Sequence, residues 1–186
     1  MRNPFFRFAV FGIVVALVFG AALRLVRAQT PSTPNEPQLK LQGIDGRYYD
    51  VAEMRGSVVL VSFGATWCTP CSGELIALEE LQREYQSKPV KSFWVSIESS
   101  SQISDGGLKR YAREHKLTFP VLRDPTKTTF LQFSPRVRLP MIVFFDKKGH
   151  ADASPHFGMS SPPDNYKNAM RQRLDKLLAT ARSEVE

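Results

Sequence analysis

Cysteine is nearly absent. The 186-residue chain has two, Cys68 and Cys71, too few for a disulfide scaffold that would hold a small core together. Histidine is scarce as well. His115, His150 and His156 stand at no metal-ligand spacing with the cysteine pair, and a structural zinc site needs four ligands. No block of Lys and Arg is interleaved with aromatics, which argues against a nucleic-acid surface. There is no internal repeat. The net charge of +7 overstates the basicity of the folded part. Residues 1–28 carry four Arg and no acid, leaving 21 basic and 18 acidic residues in the rest. What remains has the composition of an ordinary globular protein, long enough for one domain with a sizeable core and extra pieces at its ends.

The long apolar run is at the N-terminus. Arg2 and Arg7 precede residues 8–23, which are uninterruptedly apolar or small, and Arg24 and Arg27 follow. Sixteen residues are slightly short for a transmembrane helix. Arginines that snorkel at both ends would lengthen the span and make it a signal-anchor. The alternative is a signal peptide cleaved after Val26-Arg27-Ala28, which two arginines so close to the apolar core disfavour. Either reading exports the domain. Residues 29–37, with prolines at 31, 34 and 37, form an extended linker. The domain then covers residues 38–182, with a short tail at 183–186.

Within the domain, the apolar run Val58-Val59-Leu60-Val61-Ser62-Phe63 reads as a buried strand. It leads through Gly64-Ala65-Thr66-Trp67 into Cys68-Thr69-Pro70-Cys71. From Ser72 onward Leu75, Leu78, Leu81 and Tyr85 recur at helical spacing, with Glu79, Glu80, Arg83 and Glu84 on the outer face. A strand therefore delivers Cys-x-x-Cys to the first turn of a helix. The unpaired N–H groups and partial positive charge there favour a thiolate over a thiol. Two intervening residues let the sulfurs bridge, so the pair can cycle between dithiol and disulfide. A purely static bond would close so short a loop that it would stabilise little.

Around this unit the pattern predicts short strands near residues 39–41 and 48–51, with Asp50 capping a turn. It predicts buried strands over 90–97 and 141–145 and a brief one over 119–122. A short helix is expected at 108–115, a helical turn at 129–133, a hairpin turn at 146–149 and a last amphipathic helix at 165–181. Strands alternating with helices imply an α/β sheet with helices on both faces.

These residues resemble the thioredoxin fold. More narrowly, the domain is similar to the membrane-anchored bacterial thiol–disulfide oxidoreductases of the TlpA/ResA type. The likeness rests on Asp45-Gly46-Arg47, Arg55-Gly56-Ser57-Val58-Val59-Leu60-Val61, Trp67-Cys68-Thr69-Pro70-Cys71 and Glu74. It continues in Phe119-Pro120-Val121, Leu139-Pro140 and Phe144-Phe145-Asp146-Lys147-Lys148-Gly149. The resemblance implies a three-layer sandwich around a mixed sheet, extended by an N-terminal β-hairpin. It implies that Cys68 is the more exposed, nucleophilic sulfur and Cys71 the resolving one, with no cofactor beyond this redox-active disulfide. Pro140 would be a cis proline beside the cysteines, and Leu139, Trp67, Thr69 and Pro70 would meet the client protein. The partners implied are a disulfide-bearing client and a transmembrane thiol electron donor. The protein would be a monomer in the inner membrane, with its domain in the periplasm or on the outer cell face.

The departures from the family are informative. Thioredoxin has a buried acid where this chain has Ser62, which is a poor base. Glu74 matches an acid of TlpA/ResA-type proteins, and either exchanges a proton with Cys71 or is a solvated residue of the first helical turn. Gly64 stands where relatives often carry an aromatic, which predicts a hollow beside the active site. Ile76 replaces a helix-kinking Pro, and Met141 a Thr. Trp94 is expected in the core. No His lies between the cysteines, which favours a reductant of apocytochrome c cysteines, of a copper-site pair or of more general clients. A copper metallochaperone using Cys68 and Cys71 is one alternative, though copper-delivery relatives space their cysteines more widely. A peroxiredoxin-like peroxidase is another, without the Thr such enzymes place three residues ahead of a lone Cys.

Overall fold

The computed structural model describes residues 37–152, 154–160 and 162–180. The anchor or signal segment, all of the linker but Pro37, and the tail at 183–186 lie outside the described residues. No helix among the described residues is long and apolar enough to cross a membrane.

Seven strands of the described residues form one mixed sheet. They are β1 (Lys40–Gly43), β2 (Tyr48–Asp50), β3 (Val58–Gly64), β4 (Val90–Ser96), β5 (Val121–Arg123), β6 (Met141–Phe145) and β7 (His156–Phe157). Their order is β2-β1-β5-β4-β3-β6-β7. β3 is central, and all seven of its residues are buried. A strand covered on both faces needs this unbroken apolar run rather than an alternating one. It pairs in parallel with β4, with Ser62 opposite Trp94 and Gly64 opposite Ser96. On its other side it pairs antiparallel with β6, with Phe63 opposite Met141.

Three α-helices of the described residues follow: α1 (Thr69–Glu84), α2 (Asp105–Glu114) and α3 (Pro163–Ala179). α1 joins parallel β3 to β4, and α2 joins parallel β4 to β5. The sheet steps the same way both times, so right-handed crossovers put both helices over one face. Leu75, Leu78 and Leu81 of α1, Leu108 and Tyr111 of α2, and Tyr166, Met170 and Leu174 of α3 share one cluster with Val58, Leu60 and Trp94 of the sheet. Val59, Val61 and Phe63 point the other way. They meet Val51 and Phe130 from the two 3-10 turns, Val51–Glu53 and Phe130–Gln132. The sandwich is thus three-layered, with the second face covered by these short turns.

α3 advances in step with α1. Lys167 meets Glu80 at 2.6 Å, and Arg171 grips Glu84 through two nitrogens at 2.6 and 2.7 Å. Asp175 accepts from the Tyr85 hydroxyl at 2.9 Å and from Lys88 at 3.3 Å. The three rungs are four residues apart on both segments.

Local chemistry explains where elements start. Asp50 caps its turn as expected, accepting the Ala52 N–H at 2.9 Å. α1 begins at Thr69, earlier than the apolar spacing indicated, because Pro70 is at home in a first helical turn. α2 begins at Asp105, where Ser104 accepts the Gly107 N–H at 3.2 Å. The two glycines there dilute the helical pattern and hide this start. Glu79 is a correction. It is buried rather than on the outer face of α1, and its carboxylate accepts the Thr118 N–H at 2.6 Å and the Thr118 hydroxyl. A lone acid among charged helix positions carries no periodic mark of such a distant backbone partner.

Candidate active site

The end of β3 and the start of α1 bring the two cysteines together. Cys68 is the N-cap residue of α1, and Cys71 sits one turn in, its N–H bonded to the Cys68 carbonyl. They form a disulfide with a Cα–Cα distance of 5.3 Å. Cys68 is 5 % exposed and Cys71 fully buried, so the sulfur at the helix start is the more accessible one. Thr69 and Pro70 lie exposed beside it, and Trp67 is 62 % exposed. The Leu139–Pro140 peptide is cis. Pro140 is buried, and half-buried Leu139 packs on the cluster that holds both cysteines, Ala65, Phe63 and Met141. Ile76 is exposed and Met141 fully buried.

Glu74 is not a solvated helix residue. Only 1 % of it is exposed, and two hydroxyls hold its carboxylate. Ser62 donates to Oε2 at 2.6 Å, and Tyr166 donates to Oε1 at 2.8 Å. Helical geometry explains the first contact. Cys71 and Glu74 are three residues apart and share a face of α1, while Ser62 and Gly64 share a face of β3. Burial lifts the Glu74 carboxyl from the ordinary 4.5 to about 7, against the opposing pull of the two hydroxyls. Burial and the Glu74 charge together drive the Tyr166 hydroxyl far above its ordinary value. A carboxyl in this range can hold or release a proton near neutrality. Ser62 is no base, but as a donor it positions the base.

The hollow expected at Gly64 does not exist. Trp94 of the neighbouring strand, fully buried, fills it. A Cβ on Gly64 would stand 2.5 Å from the Trp94 Nε1 and 3.4 Å from the Cys71 Sγ. The missing aromatic of β3 is thus replaced from β4, a trade that one strand read alone cannot reveal. The indole stacks on Tyr111 at 5.2 Å between ring centroids. The Tyr111 and Ser72 hydroxyls lie 3.2 Å apart, which ties this stack back to α1.

Glu98, on the loop after β4, is a further buried acid. Its carboxylate accepts the Thr66 N–H and hydroxyl, both at 2.8 Å, and the Ser96 hydroxyl at 3.1 Å. It therefore fixes the segment that presents Trp67 and Cys68. Arg123 holds that loop from below, donating to the Glu98 and Ile103 carbonyls while pairing with Asp105. A Ser-rich stretch gives no hint of such a role. Tyr166 carries no mark in the sequence beyond lying in the last amphipathic helix.

The histidines stand apart from the cysteines. His115 packs on Tyr111, His150 pairs with Asp146, and His156 lies against Tyr166. Among the described residues, no group of three or more His, Cys, Asp or Glu is arranged to hold a metal ion.

Residues 35–153 match the AhpC/TSA family. The thioredoxin-like protein YneN of Bacillus subtilis is 35 % identical over 89 residues, covering 47 % of this chain and 51 % of that protein. The thiol-disulfide oxidoreductase ResA of Oceanobacillus iheyensis is 28 % identical over 131 residues, 66 % of each chain. The chain thus spans about half to two thirds of these curated relatives. Among solved structures, the pneumococcal exposed lipoprotein thioredoxin Etrx1 of Streptococcus pneumoniae is similar with a TM-score of 0.58 and 26 % identity. That likeness covers 75 % of this chain and 98 % of that one.

Proposed function

The chain belongs to the AhpC/TSA family, in its thioredoxin-like TlpA/ResA type, and from this we propose that it is an extracytoplasmic thiol–disulfide oxidoreductase that reduces disulfides in client proteins. The observation that carries the reading is the Cys68–Cys71 disulfide at a helix start, with a carboxyl of pKa about 7 buried behind it.

In the reduced protein Cys68 is the nucleophile. The helix N-terminus favours its thiolate. The thiolate attacks one sulfur of a client disulfide, forms a mixed disulfide and releases the other client sulfur as a thiolate, which takes a proton from water. Cys71 gives its proton to the Glu74 carboxylate and attacks the Cys68 sulfur. The second client thiolate leaves, and Cys68–Cys71 closes. Two electrons have passed to the client. A transmembrane thiol donor restores the dithiol. Trp67, Thr69, Pro70, Leu139 and Pro140 form the client contact surface, and no cofactor beyond the cysteine pair takes part.

Reduction as the net direction is supported by the absence of a His between the cysteines. Export is supported by the apolar run at residues 8–23, the proline-rich linker and the likeness to an exposed lipoprotein. The clients are haem-site cysteines of apocytochrome c or a copper-site pair, and the protein works as a membrane-tethered monomer.

Insulin reduction by the purified protein tests the chemistry, with Cys68→Ser required to abolish it. Cys71→Ser leaves the mixed disulfide unresolved, so its partners can be identified by mass. Full turnover without Cys68, or no covalent partner where the wild type cycles in the cell, would overturn the reading. Peroxide turnover and copper titration on the same samples separate the peroxidase and metallochaperone alternatives.

A further inference from the structure

The indole nitrogen of Trp94 is the odd group in the site. It is fully buried, and it has no hydrogen-bond acceptor among the described residues. A buried donor without an acceptor costs about 1–3 kcal/mol, so one at the active centre calls for a physical reason. The nitrogen lies beside the inner cysteine. It and the Cys71 Sγ flank the same point above the Gly64 Cα, at 2.5 and 3.4 Å. The two atoms are therefore no farther apart than those distances together. No side chain on Gly64 separates them. The stack on Tyr111 holds the ring in place, and the Tyr111–Ser72 contact anchors that stack to the helix bearing Cys71.

In the oxidised pair the Cys71 sulfur is neutral and a weak acceptor. Reduction by a dithiol changes that. Two electrons enter the Cys68–Cys71 bond, the bond opens, the donor becomes a disulfide, and each protein sulfur is left as a thiolate or, after taking a proton, a thiol. A thiolate is a strong acceptor in a site that water does not reach.

We propose that Trp94 is a positioning residue of the thiol chemistry: its indole N–H donates to the Cys71 sulfur once the disulfide opens, and so stabilises the resolving thiolate. The inference rests on Cys68 and Cys71 being a redox pair. It gives the Gly64–Trp94 trade a purpose that filling space does not, because a Phe or Leu would also fill space. Four buried groups near this end of the site can ionise, Glu74 on α1, Glu98 after β4, Tyr111 on α2 and Tyr166 on α3, while His115 and His156 lie against the rings of the two tyrosines. The four become negative on ionising, so each disfavours a thiolate there. The helix start favours one at Cys68 but reaches Cys71 less directly. Trp94 is the neutral donor at hand.

The test replaces Trp94 site-specifically with 3-benzothienylalanine, which keeps the bicyclic outline and has sulfur in place of N–H. In a Cys68→Ser background the thiolate absorbance of Cys71 is titrated. Loss of the donor raises the Cys71 pKa by about one unit or more, at least a tenfold loss of thiolate at a given pH. With both cysteines present and the pH held above the Cys71 titration midpoint, so that the reduced pair carries its thiolate, the equilibrium against glutathione moves about tenfold toward the disulfide, a fall of about 30 mV. Trp94→Phe moves both quantities the same way and also lowers thermal stability, whereas the isostere leaves stability nearly unchanged. An isosteric protein with unchanged titration and unchanged glutathione equilibrium overturns the proposal, whatever Trp94→Phe does. A wild-type pair that never equilibrates with glutathione would instead sink the oxidoreductase reading, while the Cys71 titration still decides the role of Trp94.

Discussion

Replacing Glu74 with Gln gives the sharpest test of the buried carboxyl. The substitution keeps the shape and lets an amide accept from one of the Ser62 and Tyr166 hydroxyls and donate to the other. What it removes is the charge. In the folded protein the Glu74 carboxyl titrates at about 7 instead of the ordinary 4.5. At about 1.4 kcal/mol per unit, that difference is worth about 3 kcal/mol. The group is almost fully buried, so solvent screening does not erode the figure. The sign follows from proton counting. Between the two values the folded state holds the proton and the unfolded state does not. Stability from this group is therefore complete below about pH 4.5 and is lost as pH rises through about 7. Urea denaturation of the disulfide-intact protein across that range reads it directly. The Glu74→Gln protein should lack this part of the pH dependence and become more stable than wild type by about 3 kcal/mol at about pH 8. Parallel stability curves for the two proteins across the range would refute the burial argument.

Tyr166→Phe removes the donor at the Glu74 Oε1, one of two bonds that hold its pKa down; the Glu74 titration midpoint in the same stability curves should move higher still, and an unchanged midpoint would discount the contact. Glu98→Gln weakens the grip on Thr66, so stability should fall by about 1–3 kcal/mol and the Thr66 amide should exchange faster with solvent. Gly64→Ala drives a methyl group against the Trp94 indole and should cost about 1–3 kcal/mol. Adding Trp94→Phe should make the pair of changes cost clearly less than their sum, and strict additivity would mean the two residues do not meet. Arg171→Ala breaks one half-exposed rung between α3 and α1 and should cost less than about 1 kcal/mol.

How far the sequence revealed this molecule depended on the range of each interaction. The central strand, the cysteine pair and the last helix announce themselves through local periodicity and spacing, and the structure puts them where those patterns point. Glu74 was visible as a candidate only through the family likeness. Its burial depends on Tyr166, 92 positions away, which no local pattern connects to it. Glu79 and Glu98 were hidden for the same reason, since each acid serves backbone groups on a distant segment. Gly64 misled because it was read on its own strand, when the missing volume is supplied across the register by Trp94. In each case the hidden partner lies across the fold, where burial and pairing are decided by tertiary packing.

The three rungs between α1 and α3 have an effect that their individual energies do not suggest. Each is weak and partly solvated. Their order, however, is acid–acid–base on one side and base–base–acid on the other. Slide α3 one turn in one direction and Asp175 faces Glu84. Slide it one turn in the other and Arg171 faces Lys88. Either slip keeps one attractive pair and sets one pair of like charges against each other, whereas the native register makes three attractive pairs, so the ladder biases α3 toward that register. Salt-sensitive charges outside the core thus help its packed residues Met170 and Leu174 to hold the register in which the Tyr166 hydroxyl meets Glu74.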